Sequence, residues 1–307
     1  MPLFQKVRQM VQVFPDNFDN MHVSPAPQDR VCLTNDGFLS LFFIGTGAAF
    51  AKTLNQTNVL VIKGNQHLLI DCGTKCSQAL YQLGMGIEQV DNFLITHSHA
   101  DHVGGLEEVQ LHRRYVVGKK PKMIITETYQ DILWNQSLRG GSERSESQEL
   151  SFEDFWQVLR PTKLEDQLRE TWHAELGLLD IKLPRTMHFP NDASSWQDSQ
   201  WSTGVILDDR VLFTSDTRYD PDLLISLDKH YDFDVIFHDC QLFTGGVHAS
   251  LDELAGLPAN IKERIVLMHY SDDWQDHYET ARSYGFKTWA KESHLYTFPD
   301  GSAQQSS

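Results

Sequence analysis

The chain has 307 residues, which is long enough to bury a full core. Its composition, 40% hydrophobic and 22% charged, lacks any signature of disorder. Its formal net charge of −16 disfavours long nucleic acid as a partner, because an acidic surface repels polyanions. The longest apolar run, residues 39–51, is too short to cross a bilayer and the first 20 residues lack a signal-peptide core, so we expect a cytoplasmic protein without a membrane partner.

A polar, proline-punctuated extension over residues 1–37 precedes the first regular element. Apolar runs bounded by turn residues then predict strands at 39–44, 56–63, 66–71, 92–96, 122–126, 177–188, 202–207, 210–215, 235–238 and 264–269. Helical spacing of apolar residues predicts helices at 74–83, 102–115 and 274–284. The segment 129–178 is acidic with mostly helical spacing, so we predict a helical acidic insertion there.

The predicted strands occur in runs on both sides of the helical middle of the chain. A simple alternation of strand and helix is therefore excluded, and two sheets packed together with helices outside fit the order better. We predict an α/β fold in which residues 38–307 form a single domain. Polar residues stand at the ends of several predicted strands, where a scaffold can present the side chains of a site.

The segment 97–102, with the sequence His-Ser-His-Ala-Asp-His, carries the strongest functional signal and directly follows a predicted buried strand. Alternate residues of an extended segment share a face, so His97 and His99 point the same way. Asp101 and His102 come after the turn and can point toward a second position nearby. This arrangement suits two metal ions a few ångströms apart, and nitrogen-rich coordination is typical of zinc.

A complete two-metal site needs more ligands, and three polar residues stand at the ends of later predicted strands. They are His188, Asp216 and His269. A carboxylate such as Asp216 can bridge two cations. His173 and His230 are weaker candidates than His188, because both lie in helical or polar surroundings.

These motifs resemble the five successive motifs of the metallo-β-lactamase superfamily over residues 39–297. The matching residues are Ile70-Asp71-Cys72-Gly73, the segment 97–102, His188, Thr214-Ser215-Asp216 and His269. The resemblance implies an αββα sandwich of two mixed sheets flanked by helices, with the metals at the rim of the sheets. It also implies two metal positions, held by His97, His99 and His188 and by Asp101, His102 and His269, with Asp216 bridging both.

The segment 237–240, Phe-His-Asp-Cys, and the later His248-Ala249-Ser250 resemble the ribonuclease Z-like phosphodiesterase branch of this superfamily. That resemblance implies that Asp239 orients His248 and that His248 protonates the departing oxygen of a phosphodiester. Asp101 would also position the attacking water. Asp239 stands where these relatives usually have Glu, so the geometry around His248 is expected to differ slightly.

Two departures from ribonuclease Z bear on the substrate. Ribonuclease Z reaches its transfer RNA with a long, basic, glycine-rich arm between the third and fourth motifs, whereas the residues between His188 and Asp216 here are neither basic nor glycine-rich. The large insertion lies earlier, at 129–178, and is acidic. Both differences favour the armless relatives that hydrolyse small phosphodiesters such as cyclic nucleotides.

Our hypothesis from the sequence is a dinuclear metallohydrolase that cleaves a small nucleotide-type phosphodiester by metal-activated hydroxide. The cofactors would be two divalent ions, zinc in the first place and manganese or iron as alternatives, and the resemblance suggests a homodimer. Four rivals share the metal residues: a ribonuclease Z-type RNA endonuclease, a hydrolase of lactones or β-lactam-type esters and amides, a di-iron redox protein, and a metal-binding regulator without turnover.

Overall fold

The computed structural model describes residues 17–18, 20–26 and 31–299. Most of the predicted N-terminal extension lies outside these residues. In chain order the described strands are β1 (Asn17–Phe18), β2 (Met21–Pro25), β3 (Leu39–Gly45), β4 (Asn58–Lys63), β5 (Gln66–Ile70), β6 (Asn92–Leu94), β7 (Lys122–Ile124), β8 (Gln157–Leu159), β9 (Thr162–Leu164), β10 (Thr171–Leu176), β11 (Leu179–Pro184), β12 (Val205–Leu207), β13 (Val211–Phe213), β14 (Val235–Asp239), β15 (Ile265–Met268), β16 (Thr288–Trp289) and β17 (His294–Phe298).

The described helices are short, and several continue into a turn of 3-10 or π geometry. The α-helices are α1 (Cys76–Gln82), α2 (Ala100–Val103), α3 (Leu106–His112), α4 (Glu127–Leu133), α5 (Arg139–Ser142), α6 (Phe152–Phe155), α7 (Pro221–Tyr231), α8 (Leu251–Leu254), α9 (Ala259–Lys262) and α10 (Tyr278–Tyr284). The other helical turns are Ile87–Gln89, Arg113–Val117, Trp134–Leu138 and Trp274–His277. No helix in the described part of the chain is both long and apolar enough to cross a membrane.

The strands form two mixed sheets, as predicted. One sheet has the order β1-β2-β17-β3-β4-β5-β6-β7-β8, and it changes from antiparallel to parallel pairing at β5. The other has the order β16-β15-β14-β13-β12-β11-β10-β9 and is parallel from β16 to β13. Parallel strands are buried on both faces, which explains why every residue of β14 and β15 is buried.

The main core lies between the two sheets. Val61 and Ile70 of one sheet belong to the same buried cluster as Phe213 of the other, and the rings of Phe43 and Phe237 meet with centroids 4.9 Å apart. The outer face of the first sheet is covered by α1 and α3, and that of the second by α7, α8 and α10. The predicted αββα sandwich is therefore confirmed.

The prediction of a helical insertion at 129–178 holds only for its first part. Residues 157–176 contain three strands, because β8 adds to the parallel edge beside β7 and β10 pairs along its whole length with β11. At the end of β10, Ala174 is buried and Glu175 is exposed, as the period of two in a strand requires. A segment of only six residues is too short for this period to be distinguished from helical spacing in the sequence. The extension also contributes to the domain, since β2 pairs with β17 at an edge of the first sheet.

Candidate metal centre

The predicted ligands lie on loops that leave the carboxyl ends of neighbouring strands. The loop after β6 carries the 97–102 motif, while Asp216 follows β13 and His269 follows β15 directly. Parallel pairing of β13, β14 and β15 puts their carboxyl ends at one edge of the second sheet. The structure brings all seven predicted ligands together at this edge.

One half of the cluster consists of three histidines and a carboxylate. The Nδ1 atom of His99 lies 3.0 Å from Nε2 of His97 and 3.1 Å from Nε2 of His188. The Oδ2 atom of Asp216 lies 3.7 Å from Nε2 of His97 and 3.8 Å from Nε2 of His188. One donor atom from each of these four side chains falls within 4.8 Å of all the others, as a metal ligand set requires.

The second half shares Asp216 with the first. The Oδ2 atom of Asp101 lies 3.3 Å from Nε2 of His102 and 3.2 Å from Nε2 of His269. The Oδ2 atom of Asp216 is 3.2 Å from Nε2 of His102 and 3.4 Å from Nε2 of His269. Asp216 belongs to both groups, which is the arrangement expected if this carboxylate bridges two ions.

Hydrogen bonds on the far side of two rings determine which nitrogen carries the proton. The backbone carbonyl of Val247 lies 2.8 Å from Nδ1 of His188 and can only accept, so Nδ1 must donate. The carboxylate of Asp71 lies 2.7 Å from Nδ1 of His102 in the same way. In the neutral rings both Nε2 atoms therefore aim a lone pair into the cluster, and Nε2 of His102 has no hydrogen-bond partner there.

This donor set fits divalent cations. Buried imidazole nitrogens and the carboxylates of Asp101 and Asp216 converge on one region, and divalent cations there would coordinate the nitrogens and neutralise the carboxylates. Burial lowers the pKa of His188 to about 4, which keeps the ring neutral and able to coordinate. Burial alone would raise the pKa of Asp216, but the charges of His269 and His102 outweigh it and hold the pKa well below its ordinary value.

Three residues in or beside the cluster have strained backbone conformations. Asp71, Ser215 and His269 have positive φ angles of 63°, 54° and 56°. Residues other than glycine rarely adopt this backbone conformation. The carboxylate of Asp71 accepts from the backbone N–H of Thr96 at 2.8 Å, and the hydroxyl of Ser215 donates to Thr96 Oγ1 at 2.7 Å. Thr96, which precedes His97, is thus hydrogen-bonded to both Asp71 and Ser215.

The predicted acid lies beside the cluster. Nδ1 of His248 is 2.9 Å from Oδ2 of Asp239, which is fully buried and also accepts from the backbone N–H of Thr217. The ring of His248 is 5.0 Å from that of His188 and 4.9 Å from that of His269, measured between centroids. Burial lowers the pKa of His248, but the hydrogen bond that its Nδ1 donates to Asp239 and the charge of Asp216 outweigh it and raise the pKa above its ordinary value.

The two rival histidines lie elsewhere. His173 is on β10, where Nε2 contacts Asp180 at 2.8 Å, and His230 is exposed near the end of α7. His173 belongs to a separate group with Glu175 and Asp180, and His230 belongs to no candidate ligand group among the described residues. The choice of His188 over both agrees with the geometry.

An aromatic stack behind the three-histidine half was not predicted. The hydroxyl of Tyr129 lies 3.2 Å from Oγ of Ser98, between the two histidines of the motif. The ring of Tyr129 stacks on Trp201 with centroids 5.7 Å apart, and the guanidinium of Arg185 covers Trp201 at 4.8 Å. Trp172 also packs against Trp201, so it belongs to this stack. No sequence signal links these residues, because the stack joins segments far apart in the chain.

Residues 39–296 match the family described as anti-Pycsar protein Apyc1. The chain belongs to this family. A curated member from Bacillus phage vB_BsuM-Goe3 is 39% identical over 245 residues, covering 77% of this chain and 90% of that protein. A second, from Paenibacillus sp. (strain J14), is 37% identical over 239 residues, covering 77% and 91%.

Solved structures with low sequence identity share the fold. The metallo-β-lactamase fold protein YhfI from Bacillus subtilis superposes with a TM-score of 0.60 at 16% identity, covering 85% of this chain and 99% of its own. A diphosphatase of the PhnP family gives 0.61 at 16% identity, covering 85% and 98%, and human tRNase Z, short form, gives 0.58 at 19%, covering 85% and 100%. The predicted metallo-β-lactamase fold is therefore confirmed.

We predict that Tyr129→Phe weakens metal binding by the three-histidine half. The substitution removes only the hydroxyl that holds Ser98, and a neutral hydrogen bond of this kind is worth about 0.5–1.5 kcal/mol, or roughly threefold to tenfold in affinity. Calorimetric titration of the metal-free protein with Zn²⁺ measures the effect. Tyr115→Phe is the matched control, since Tyr115 is half exposed and its hydroxyl donates to Glu146, outside the cluster. Equal affinities in both variants would contradict a positioning role for Tyr129.

Proposed function

We propose that this protein is a two-metal phosphodiesterase that hydrolyses a small nucleotide-type substrate such as a cyclic nucleotide. The observation that carries the proposal is the buried Asp239 paired with His248 directly beside the shared ligand Asp216. A metal cluster alone suits many hydrolases, but a histidine held by a carboxylate at its rim suits a reaction whose leaving group needs a proton.

The ligands divide into two sets in this proposal. His97, His99 and His188 would hold one ion, Asp101, His102 and His269 would hold the other, and Asp216 would contribute to both sets. The nitrogen-rich set favours zinc, with manganese or iron as alternatives. When bound, such ions activate a water molecule and neutralise charge on the phosphate oxygens.

The protein's own side chains perform the proton transfer. The Nδ1 atom of His248 is engaged by Asp239, so Nε2 is the atom that donates to the departing oxygen. The oxygen of water joins phosphorus, the P–O ester bond breaks, and the leaving alkoxide takes the proton of His248. The proton that the water loses restores His248 through solvent. Asp101 orients the water, and Asp239 keeps the imidazole in the tautomer that the transfer needs.

A small substrate is favoured over RNA. The net charge of −16 offers no electrostatic attraction for a polyanion, and the chain between His188 and Asp216 has no basic arm. Membership of a family named for anti-Pycsar protein Apyc1 and a fold shared with a PhnP-family diphosphatase are both compatible with a small phosphate ester. We also expect a homodimer, which sedimentation of the purified protein tests.

Chelation should abolish turnover and lower the melting temperature together. Bound cations stabilise the folded state by mass action, and their removal leaves Asp101 and Asp216 buried among lone pairs. Activity toward a cyclic nucleotide should return with two equivalents of Zn²⁺ or Mn²⁺ per chain. Metal analysis and thermal unfolding before and after chelation measure both effects, and turnover that survives complete removal of metal would exclude this mechanism.

His248→Ala should slow hydrolysis in proportion to how much the leaving group needs a proton. We expect a loss of about 10²- to 10⁴-fold in kcat for a cyclic nucleotide, whose leaving group is a sugar alkoxide. The loss should be much smaller for bis(p-nitrophenyl) phosphate, since p-nitrophenolate leaves without protonation. Measured rates on the two substrates give the ratio directly.

His230→Ala is the matched control, because His230 is exposed near the end of α7 and belongs to no candidate ligand group among the described residues. Metal content of both variants should equal that of the wild type. Equal losses on both substrates would mean that His248 supports the structure of the site and is not the acid. Full activity of His248→Ala toward a lactone or ester, with no phosphodiester cleavage by the wild type, would favour the carbon-ester alternative.

A further inference from the structure

Two phenylalanine rings are exposed on loops at the edge that carries the metal ligands. Phe50 is 87% exposed, the highest fraction among the large hydrophobic side chains in the described part of the chain, and Phe243 is 67% exposed. Phe50 lies on the loop that follows β3, and Phe243 on the loop that follows β14. Gly47 forms a parallel bridge with Tyr270, so the chain after β3 runs beside the chain that follows His269.

Backbone hydrogen bonds hold the loop of Phe50 both before and after this residue. The backbone N–H of Ala48 donates to Tyr270 O at 2.9 Å, and the N–H of Ala51 closes a turn onto Ala48 O at 3.1 Å. The N–H groups of residues 52 and 53 donate to the carboxylate of Asp272 at 2.7 and 3.0 Å. Phe50 therefore stands at the tip of a tight turn that is anchored to the residues just after His269.

The loop of Phe243 is anchored to the proposed acid and to a ligand. It runs from Gln241 to His248, and the side chain of Gln241 donates to the carbonyl of Phe243 at 2.8 Å. The carbonyl of Val247 holds the ring of His188 at 2.8 Å. The ring of Phe243 thus projects from a loop that begins just after Asp239 and ends at the proton donor.

We infer that Phe50 and Phe243 contact the base of the nucleotide substrate, an inference that rests on the proposed function. A loop that holds an aromatic ring in water forgoes the stabilisation that burial would bring, and such exposed apolar surface beside a site is typical of ligand contacts. An aromatic ring offers a flat face on which a nucleobase stacks. With the phosphate at the metal cluster, the base would extend outward past the loops that leave this edge, and two of these loops carry Phe50 and Phe243.

The test separates contacts with the base from contacts with the phosphate. We compare a cyclic nucleotide with an abasic ribose 3′,5′-cyclic phosphate, which has the same scissile bond and no base. Phe50→Ala and Phe243→Ala should each raise KM for the cyclic nucleotide about tenfold, with little change in kcat. Neither should change KM for the abasic compound.

Leu178→Ala is the matched control, because it also removes an exposed apolar side chain, 67% exposed, at the opposite edge of the sheets. Its place there follows from its position in the β10–β11 turn, next to Gly64 in the β4–β5 turn. It should change neither KM. Phe50→Leu and Phe243→Leu keep apolar volume without an aromatic face, and should still raise KM for the cyclic nucleotide if stacking is the contact.

Equal effects on both substrates, or no effect on either, would overturn the inference. A loss on both substrates together with a smaller sedimenting mass would instead assign the rings to an interface with a second copy of the chain. Binding of the cyclic nucleotide to zinc-loaded His248→Ala protein, with and without the Phe substitutions, measures the base contact independently of turnover. If the wild type cleaves no phosphodiester, the proposed function fails, while weaker binding on loss of either ring still supports the inference.

Discussion

The structure depends on a cluster of buried polar side chains at the edge of the two sheets. Imidazole nitrogens of His97, His188 and His102 and the carboxylates of Asp101 and Asp216 meet within one small region. Burial of so many polar and ionisable groups is costly unless they pair with one another or with cations. The two sheets make the arrangement possible, because strand ends from both deliver side chains to a single edge while their cores remain apolar.

Residues outside the predicted ligand set hold two of its rings and the backbone between two others. Asp71 holds His102, the carbonyl of Val247 holds His188, and Tyr129 holds the backbone between the first two histidines through Ser98. Metal affinity depends on such outer partners nearly as much as on the ligands, since they select the tautomer and limit ring motion. Val247 connects a predicted ligand with the proposed acid, because its carbonyl holds His188 and the next residue is His248.

The same edge carries every part of the proposed chemistry. The shared ligand Asp216, the pair of Asp239 and His248, and the loops of Phe50 and Phe243 all lie beyond the carboxyl ends of neighbouring strands. Parallel pairing of β13, β14 and β15 produces this concentration, because parallel strands end at the same side. A phosphate, a leaving oxygen and a base on one small molecule can then be met by groups on adjacent loops.

The sequence by itself predicted the candidate ligands, because His97 to His102 are local in the chain and His188, Asp216 and His269 each follow a predicted apolar strand. It also indicated the two-sheet fold through the order of its strands. It misjudged residues 157–176, where strands form by pairing with distant partners and short segments show no clear period. Only the tertiary structure decided the Tyr129–Trp201–Arg185 stack and the exposure of Phe50 and Phe243. Both depend on which distant segments touch, and no local pattern of residues encodes that contact.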